Sequence, residues 1–137
     1  MIKKGETYII GEIGQNHNGS CDIAKLIVEL VARPVREEAF GIDLKPMNAV
    51  KMTKRDLNEE LTVSQMNRIY DTPHSFGRTY GEHRAFLELD DEAHYEVYKY
   101  AKSLGLDFIE TLCAKGCLSM LKLFTPYFEE SCLYEYS

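Results

Sequence analysis

A chain of 137 residues, 45% hydrophobic and 28% charged, with 9 Gly and 4 Pro, has the composition of one ordinary globular domain and is long enough for a single core. Sixteen basic against 22 acidic side chains leave a formal charge of −6, which excludes the electrostatic footprint of a duplex nucleic-acid binder or of a protein drawn to anionic membranes. Small molecules and other proteins remain as partners.

The start, Met1-Ile2-Lys3-Lys4-Gly5-Glu6, is basic, but the apolar run behind it, Tyr8 to Ile10, is too short for an export leader or a membrane span. A cytoplasmic protein is expected. Cys21, Cys113, Cys117 and Cys132 include no CxxC pair, and without export they read as free thiols. For the same reason the sequon Asn18-Gly19-Ser20 is discounted as a glycosylation site.

Tyr8 to Gly14 is short and rich in β-branched residues, which predicts a strand buried on both faces. A polar loop, Gln15 to Ser20, follows. Ser20 is placed to cap a helix in which Ile23, Ala24, Ile27, Leu30 and Val31 recur at three- and four-residue spacing, and Pro34 closes it. Arg33 to Pro46 reads as a longer connection and Ala49 to Thr53 as a second strand. Between Lys54 and Ile69 a short helix capped by Thr62 or Ser64 is expected. Tyr70 to Arg84 holds Asp71, Pro73, Ser75, Gly77 and Gly81 without apolar period, and reads as a long functional loop. The next helix starts at Asp90-Asp91, presents Val97, Ala101 and Leu104 on one face, and stops at Gly105. Leu106 to Leu112 reads as a third strand, and a shorter helix from about Ala114 to Leu123 precedes Thr125-Pro126.

The order β-α-β-loop-α-β-α argues for an α/β fold with parallel strands, as in doubly wound sheets and (β/α)8 barrels. Ligands in such folds bind at the carboxyl ends of the strands. Three stretches qualify: Glu12 to His17, Lys51 to Arg55 and Glu110 to Lys115. A strand-borne carboxylate, lysine and threonine on one mouth suit an anionic, oxygen-rich substrate. At each place a plainer role stands beside this one. Lys51 is equally an edge lysine in water, Glu12 equally a solvated acid on an open sheet, and His17 a loop hydrogen-bonder. His74, Arg78, His83 and Arg84 concentrate positive or titratable groups, as an anion-binding lid or a solvated loop would. Cys113 and Cys117 lack the partners of a zinc site, and no metal ligand is assigned.

The blocks Tyr8-Ile9-Ile10-Gly11-Glu12-Ile13-Gly14-Gln15-Asn16-His17-Asn18-Gly19-Ser20, Val50-Lys51 and Tyr70-Asp71-Thr72-Pro73-His74-Ser75-Phe76-Gly77-Arg78-Thr79-Tyr80-Gly81-Glu82-His83-Arg84 closely resemble the N-terminal part of the N-acetylneuraminate (sialic acid) synthases. The resemblance spans residues 6–126. It implies a partial (β/α)8 TIM barrel, about the first three βα units, and a phosphoenolpyruvate-dependent condensation with an N-acetylmannosamine-type sugar that yields a nine-carbon sialic acid and phosphate. In such enzymes the acid at the place of Glu12 lies in the active site, the lysine at the place of Lys51 holds phosphoenolpyruvate, and the threonine at the place of Thr111 lies by its phosphate. Glu12 and Lys51 are accordingly the catalytic candidates, and Asn16, His17, Thr53, Arg78 and Thr111 the substrate-binding ones. A divalent metal, Mn or Mg, belongs to the full-length family, and none is expected on this piece.

Some positions depart from the family. Thr53 stands where relatives often carry a glutamine facing the sugar, and Ile109-Glu110-Thr111-Leu112-Cys113 where many have a T-P-F ending. Residues 127–137 lose the pattern, as a frame disruption or truncation would produce, and the later strands with their lysine, their metal-binding histidines and a C-terminal domain do not follow. The expectation is a truncated, inactive fragment of a transferase. A split-enzyme subunit completed by a second chain, a homo-oligomer, and a catalytically dead phosphosugar- or phosphoenolpyruvate-binding module are the alternatives.

Overall fold

A computed structural model describes residues 5 and 7–124. Its central element is a parallel sheet of three strands, β1 (Ile10–Glu12), β4 (Ala49–Lys54) and β5 (Asp107–Leu112), in the order β1-β4-β5. All three are the strands expected from sequence, β1 being shorter than its apolar run. Ile10, Gly11 and Glu12 pair with Ala49, Val50 and Lys51; Lys51, Met52 and Thr53 pair in turn with Ile109, Glu110 and Thr111.

One face of the sheet is covered by α1 (Cys21–Val31) and α5 (Asp91–Ser103). Ala24 and Val28 of α1, Val97 and Ala101 of α5, and Val50, Met52 and Phe108 of the strands form one buried cluster with Ile13, Leu106 and Met120. Both helices start where the sequence places a cap. Ser20 accepts the Ile23 N–H and Asp90 accepts the Ala93 N–H, satisfying amides that the first turn leaves free. Gly105 ends α5 with φ +80°, a conformation costly for a residue with a Cβ, and the Leu106 N–H turns back to the Ala101 carbonyl.

Five expectations need correction. β1 is not buried on both faces, Ile10 being 47% exposed, because among the described residues it is an edge strand of the sheet. The connection 33–46 contains an antiparallel hairpin, β2 (Val35–Glu37) with β3 (Ile42–Leu44), in which Arg36 pairs with Asp43 at 2.8 Å. Each strand has only three residues, too few to display an alternation in sequence. The expected helix before Ile69 is two single turns, α2 (Leu57–Glu60) and α3 (Val63–Met66), capped by Asp56 and Thr62. The long loop ends early, because α4 occupies Tyr80–Leu87. Its start is a full capping box: Thr79 accepts the Glu82 N–H while Glu82 accepts the Thr79 N–H. Glycine at 81 obscured that signal, and it is there for space, since a Cβ would crowd the Met66 carbonyl. The last expected helix is a 3-10 helix, Lys115–Met120, running into the single turn α6 (Leu121–Phe124). The divergent tail 127–137 lies outside the described residues. Among the described residues no helix is long and apolar enough to cross a membrane, and Cys21, Cys113 and Cys117 are free thiols.

Candidate active site

Side chains alternate across a strand, and paired residues of a parallel ladder share a face. With Val50, Met52 and Phe108 turned to the helices, the register sends Glu12, Lys51, Thr53 and Thr111 to the opposite face. The sequence candidates on strands are therefore brought together, at the carboxyl ends of three parallel strands. Lys51 Nζ stands 3.3 Å from Glu12 Oε2, and their side chains are 36% and 51% exposed. A pair this open contributes at most about 1 kcal/mol to stability. Its two charges are thus available to a ligand at little cost to the fold. An ammonium, a carboxylate and two hydroxyls on one surface can bind a phosphate or carboxylate, orient its neighbouring oxygens and relay a proton.

The other candidates lie in different surroundings. Asn16 is exposed and its amide donates to the Ile13 carbonyl, shaping the turn after β1. His17 is only 3% exposed. Its Nδ1 accepts the Gly19 N–H at 3.1 Å and the ring also engages the Gly14 backbone, so the imidazole closes loop 14–19 upon itself. Burial, with His94 adding to it, holds the His17 ring below the usual imidazole range. Arg78 is exposed on the turn before α4, where its N–H donates to Glu82.

Sequence reasoning missed a buried polar group behind the sheet. Glu110, one residue from Thr111, points to the helix side, where Oε2 lies 3.0 Å from Nδ1 of His94, a side chain 1% exposed on α5. With the carboxyl ionised, Nδ1 carries the proton that joins the two. Burial pushes the Glu110 carboxyl up, while His94 and Lys54 oppose the shift. Lys54 ends β4 on the same side, with Nζ 2.6 Å from the Leu89 carbonyl and 3.1 Å from Asp91. Beyond it Glu88, raised by burial, meets Arg84 and accepts from Gln15. The only signal for His94 was its helical phase, three residues before Val97 on the buried face.

Among the described residues no three His, Cys, Asp or Glu side chains converge closely enough to hold a metal ion. The described residues therefore do not fit the divalent metal that the resemblance implies.

No family model matches the chain. It is 31% identical over 123 residues to the N-acetylneuraminate-9-phosphate synthase of Homo sapiens, covering 89% of this chain and 31% of that protein. The enzyme of the same name from Drosophila melanogaster is 32% identical over 114 residues, 83% of this chain and 28% of its own. An N,N'-diacetyllegionaminic acid synthase of Campylobacter jejuni is 28% identical over 77% of this chain and 29% of its own. The chain therefore spans about 30% of the length of these relatives. Among solved structures, the fold is similar to that of an N-acetylneuraminic acid synthetase from Leptospira borgpetersenii, with TM-score 0.55 and 17% identity over 89% of this chain and 37% of the other. A spore coat polysaccharide biosynthesis protein E from Chromobacterium violaceum matches with TM-score 0.57 and 17% identity over 85% of this chain and 31% of the other.

Proposed function

Because this chain is a sequence relative of the sialic acid synthase family, we propose that it forms three βα units of a (β/α)8 barrel and carries part of a phosphoenolpyruvate site. The reaction served is the condensation of phosphoenolpyruvate with an N-acetylated amino sugar. Its net step joins the methylene carbon of phosphoenolpyruvate to the aldehyde carbon of the open-chain sugar and consumes one water as phosphate leaves. The observation that carries this reading is the register, which puts Glu12, Lys51, Thr53 and Thr111 on one face at the strand ends.

In this reading Lys51 exchanges its open contact with Glu12 for a phosphate or carboxylate oxygen of phosphoenolpyruvate. Thr111 donates its hydroxyl to the same group, while Glu12 is freed to accept a proton or a sugar hydroxyl. Thr53 lies beside Thr111 in the register and faces the acceptor. At their carboxyl ends the three strands supply one cation, Lys51, and one carboxylate, Glu12, to this face, and a charge as dense as phosphoenolpyruvate's calls for more. The chain by itself is accordingly a binding piece without turnover.

Isothermal titration of the chain with phosphoenolpyruvate tests this directly. Binding should be measurable, and Lys51→Met should weaken it about tenfold or more, the loss of one charge-assisted contact. Absence of heat at millimolar phosphoenolpyruvate, or equal affinity in Lys51→Met, would refute the assignment.

A further inference from the structure

The connection from α1 to β4 runs from Ala32 to Asn48, where a crossover of this kind needs only about 2–6 residues. The extra length is the hairpin β2–β3, and it stands clear of the body. Its strands pair with each other and with no other strand, and of their residues only Glu37 is half-buried, the rest being exposed. A two-stranded hairpin with nothing packed on it is marginally stable at best in water. The hairpin leads into β4 at its amino end, the pole opposite Glu12, Lys51 and Thr111, so its role is separate from the ligand face.

Register and charge decide what covers it. Val35 pairs with Leu44 and Glu37 with Ile42, and strand alternation puts these four side chains on one face. Arg36 and Asp43 take the other face and neutralise each other there. Val35, Ile42 and Leu44 are each about half exposed, and Phe40, on the turn, is 78% exposed. Large apolar side chains gathered on so small a ribbon mark an interaction surface.

The charges around that patch are ordered along its length. Arg33 and Lys45 flank the base of the ribbon, and Glu37 and Glu38 lie at its turn. Arg36 and Asp43 cancel, so the ribbon as a whole is neutral in a chain of formal charge −6. A neutral patch is where two copies of an acidic chain approach with least repulsion. Its polarity also fixes how they meet. A two-fold axis through the apolar face lays the ribbons antiparallel and sets the turn acids of each copy beside the base cations of the other. Val35, Ile42 and Leu44 of both copies are then closed between them. A parallel or turn-to-turn meeting would bring like charges together. Arg33 is already engaged by Glu29 of α1, but Lys45 and Glu38 have no ion pair among the described residues and are free for the contact.

We propose that the β2–β3 hairpin is a self-association surface, on which a second copy of this chain docks antiparallel through Val35, Phe40, Ile42 and Leu44. The proposal is independent of the reading of the Lys51 face. The patch is small, so the dimer is weak and forms with rising concentration.

Sedimentation velocity of the full chain from about 10 μM to about 1 mM at low salt is the test. The parent should pass from monomer to dimer within that range, and added salt should shift it back. Lys45→Glu and Glu38→Lys each make both contacts between the copies repulsive, and either variant alone should associate about tenfold more weakly or worse. Mixed in equal amounts, the two variants restore both contacts with the signs exchanged, and the mixture should dimerise as the parent does. Phe40→Ser, which removes the exposed ring from the turn, should weaken the parent similarly. All three positions are exposed, so the variants keep the fold of the body, and melts of the dilute monomers should coincide with the parent's. A parent that stays monomeric throughout would overturn the proposal. So would single charge variants that associate like the parent, which would place the contact on another surface, or a mixture no tighter than either variant alone.

Discussion

Replacing His94 by alanine takes away the one hydrogen-bond partner that Glu110 has among the described residues, since Oε1 already lies buried without one. Removing one member of a buried pair leaves an uncompensated charge and costs about 3–5 kcal/mol. A chain of this size has a stability of about 7–15 kcal/mol, so the variant should fold but be marginal. With a urea slope of about 1.5 kcal/mol/M, the unfolding midpoint should fall by about 2–3 M. Replacing both members by apolar residues of similar size, His94→Leu with Glu110→Met, removes the charge together with its partner. That double variant should unfold within about 1 kcal/mol of the parent or above it. The pH dependence is equally specific. A carboxyl raised in the folded state contributes stability that is full below its ordinary value near 4.5 and is lost as pH rises through the folded value. Loss of His94 raises that carboxyl further, so the deficit of His94→Ala should be largest at pH 7 and shrink toward pH 5. A single variant that costs less than about 1 kcal/mol, or a double variant as unstable as the two singles added, would refute the account of Glu110 as a buried charge held by His94.

The His17 ring titrates in the opposite sense: held low by burial, its contribution is full above the ordinary 6.5 and is lost as pH falls through the lowered folded value. Urea midpoints between pH 7.5 and 5 should therefore fall more steeply in the parent than in His17→Asn, which keeps an acceptor for the Gly19 N–H and does not titrate; parallel curves would exclude the clamp. Gly19→Ala should cost more than about 2 kcal/mol, because at φ +73° its Cβ collides with the Phe86 carbonyl oxygen, while Gly41→Ala, at φ +63° in open space, should cost about 1 kcal/mol. Thermal melts of the two variants separate collision from backbone strain, and equal losses would show that the Phe86 contact contributes nothing.

What the sequence made legible follows from how many residues carry each signal. The helix over Cys21–Val31 repeats its apolar period across three turns behind a serine cap, and the strand over Ala49–Lys54 stands between turn residues; both were read where they occur. The hairpin Val35–Leu44 has three residues per strand, and the helix Tyr80–Leu87 only two turns with glycine in the first. There periodicity carries almost no information, and the Thr79/Glu82 capping pair, though present, was outweighed by the turn residues before it. The site shows the same limit in another form. Glu12, Lys51 and Thr111 were placed at strand ends by position alone, but which face each serves depends on register, a relation between strands far apart in the chain. Glu110 makes the difference concrete. It neighbours Thr111 in sequence and looks like part of the same mouth, yet the two-residue alternation puts it on the far side of the sheet against His94. A carboxylate in a strand says that something must meet its charge. Only the pairing of the strands decides whether that partner is a lysine at the open face, as for Glu12, or a histidine in the core.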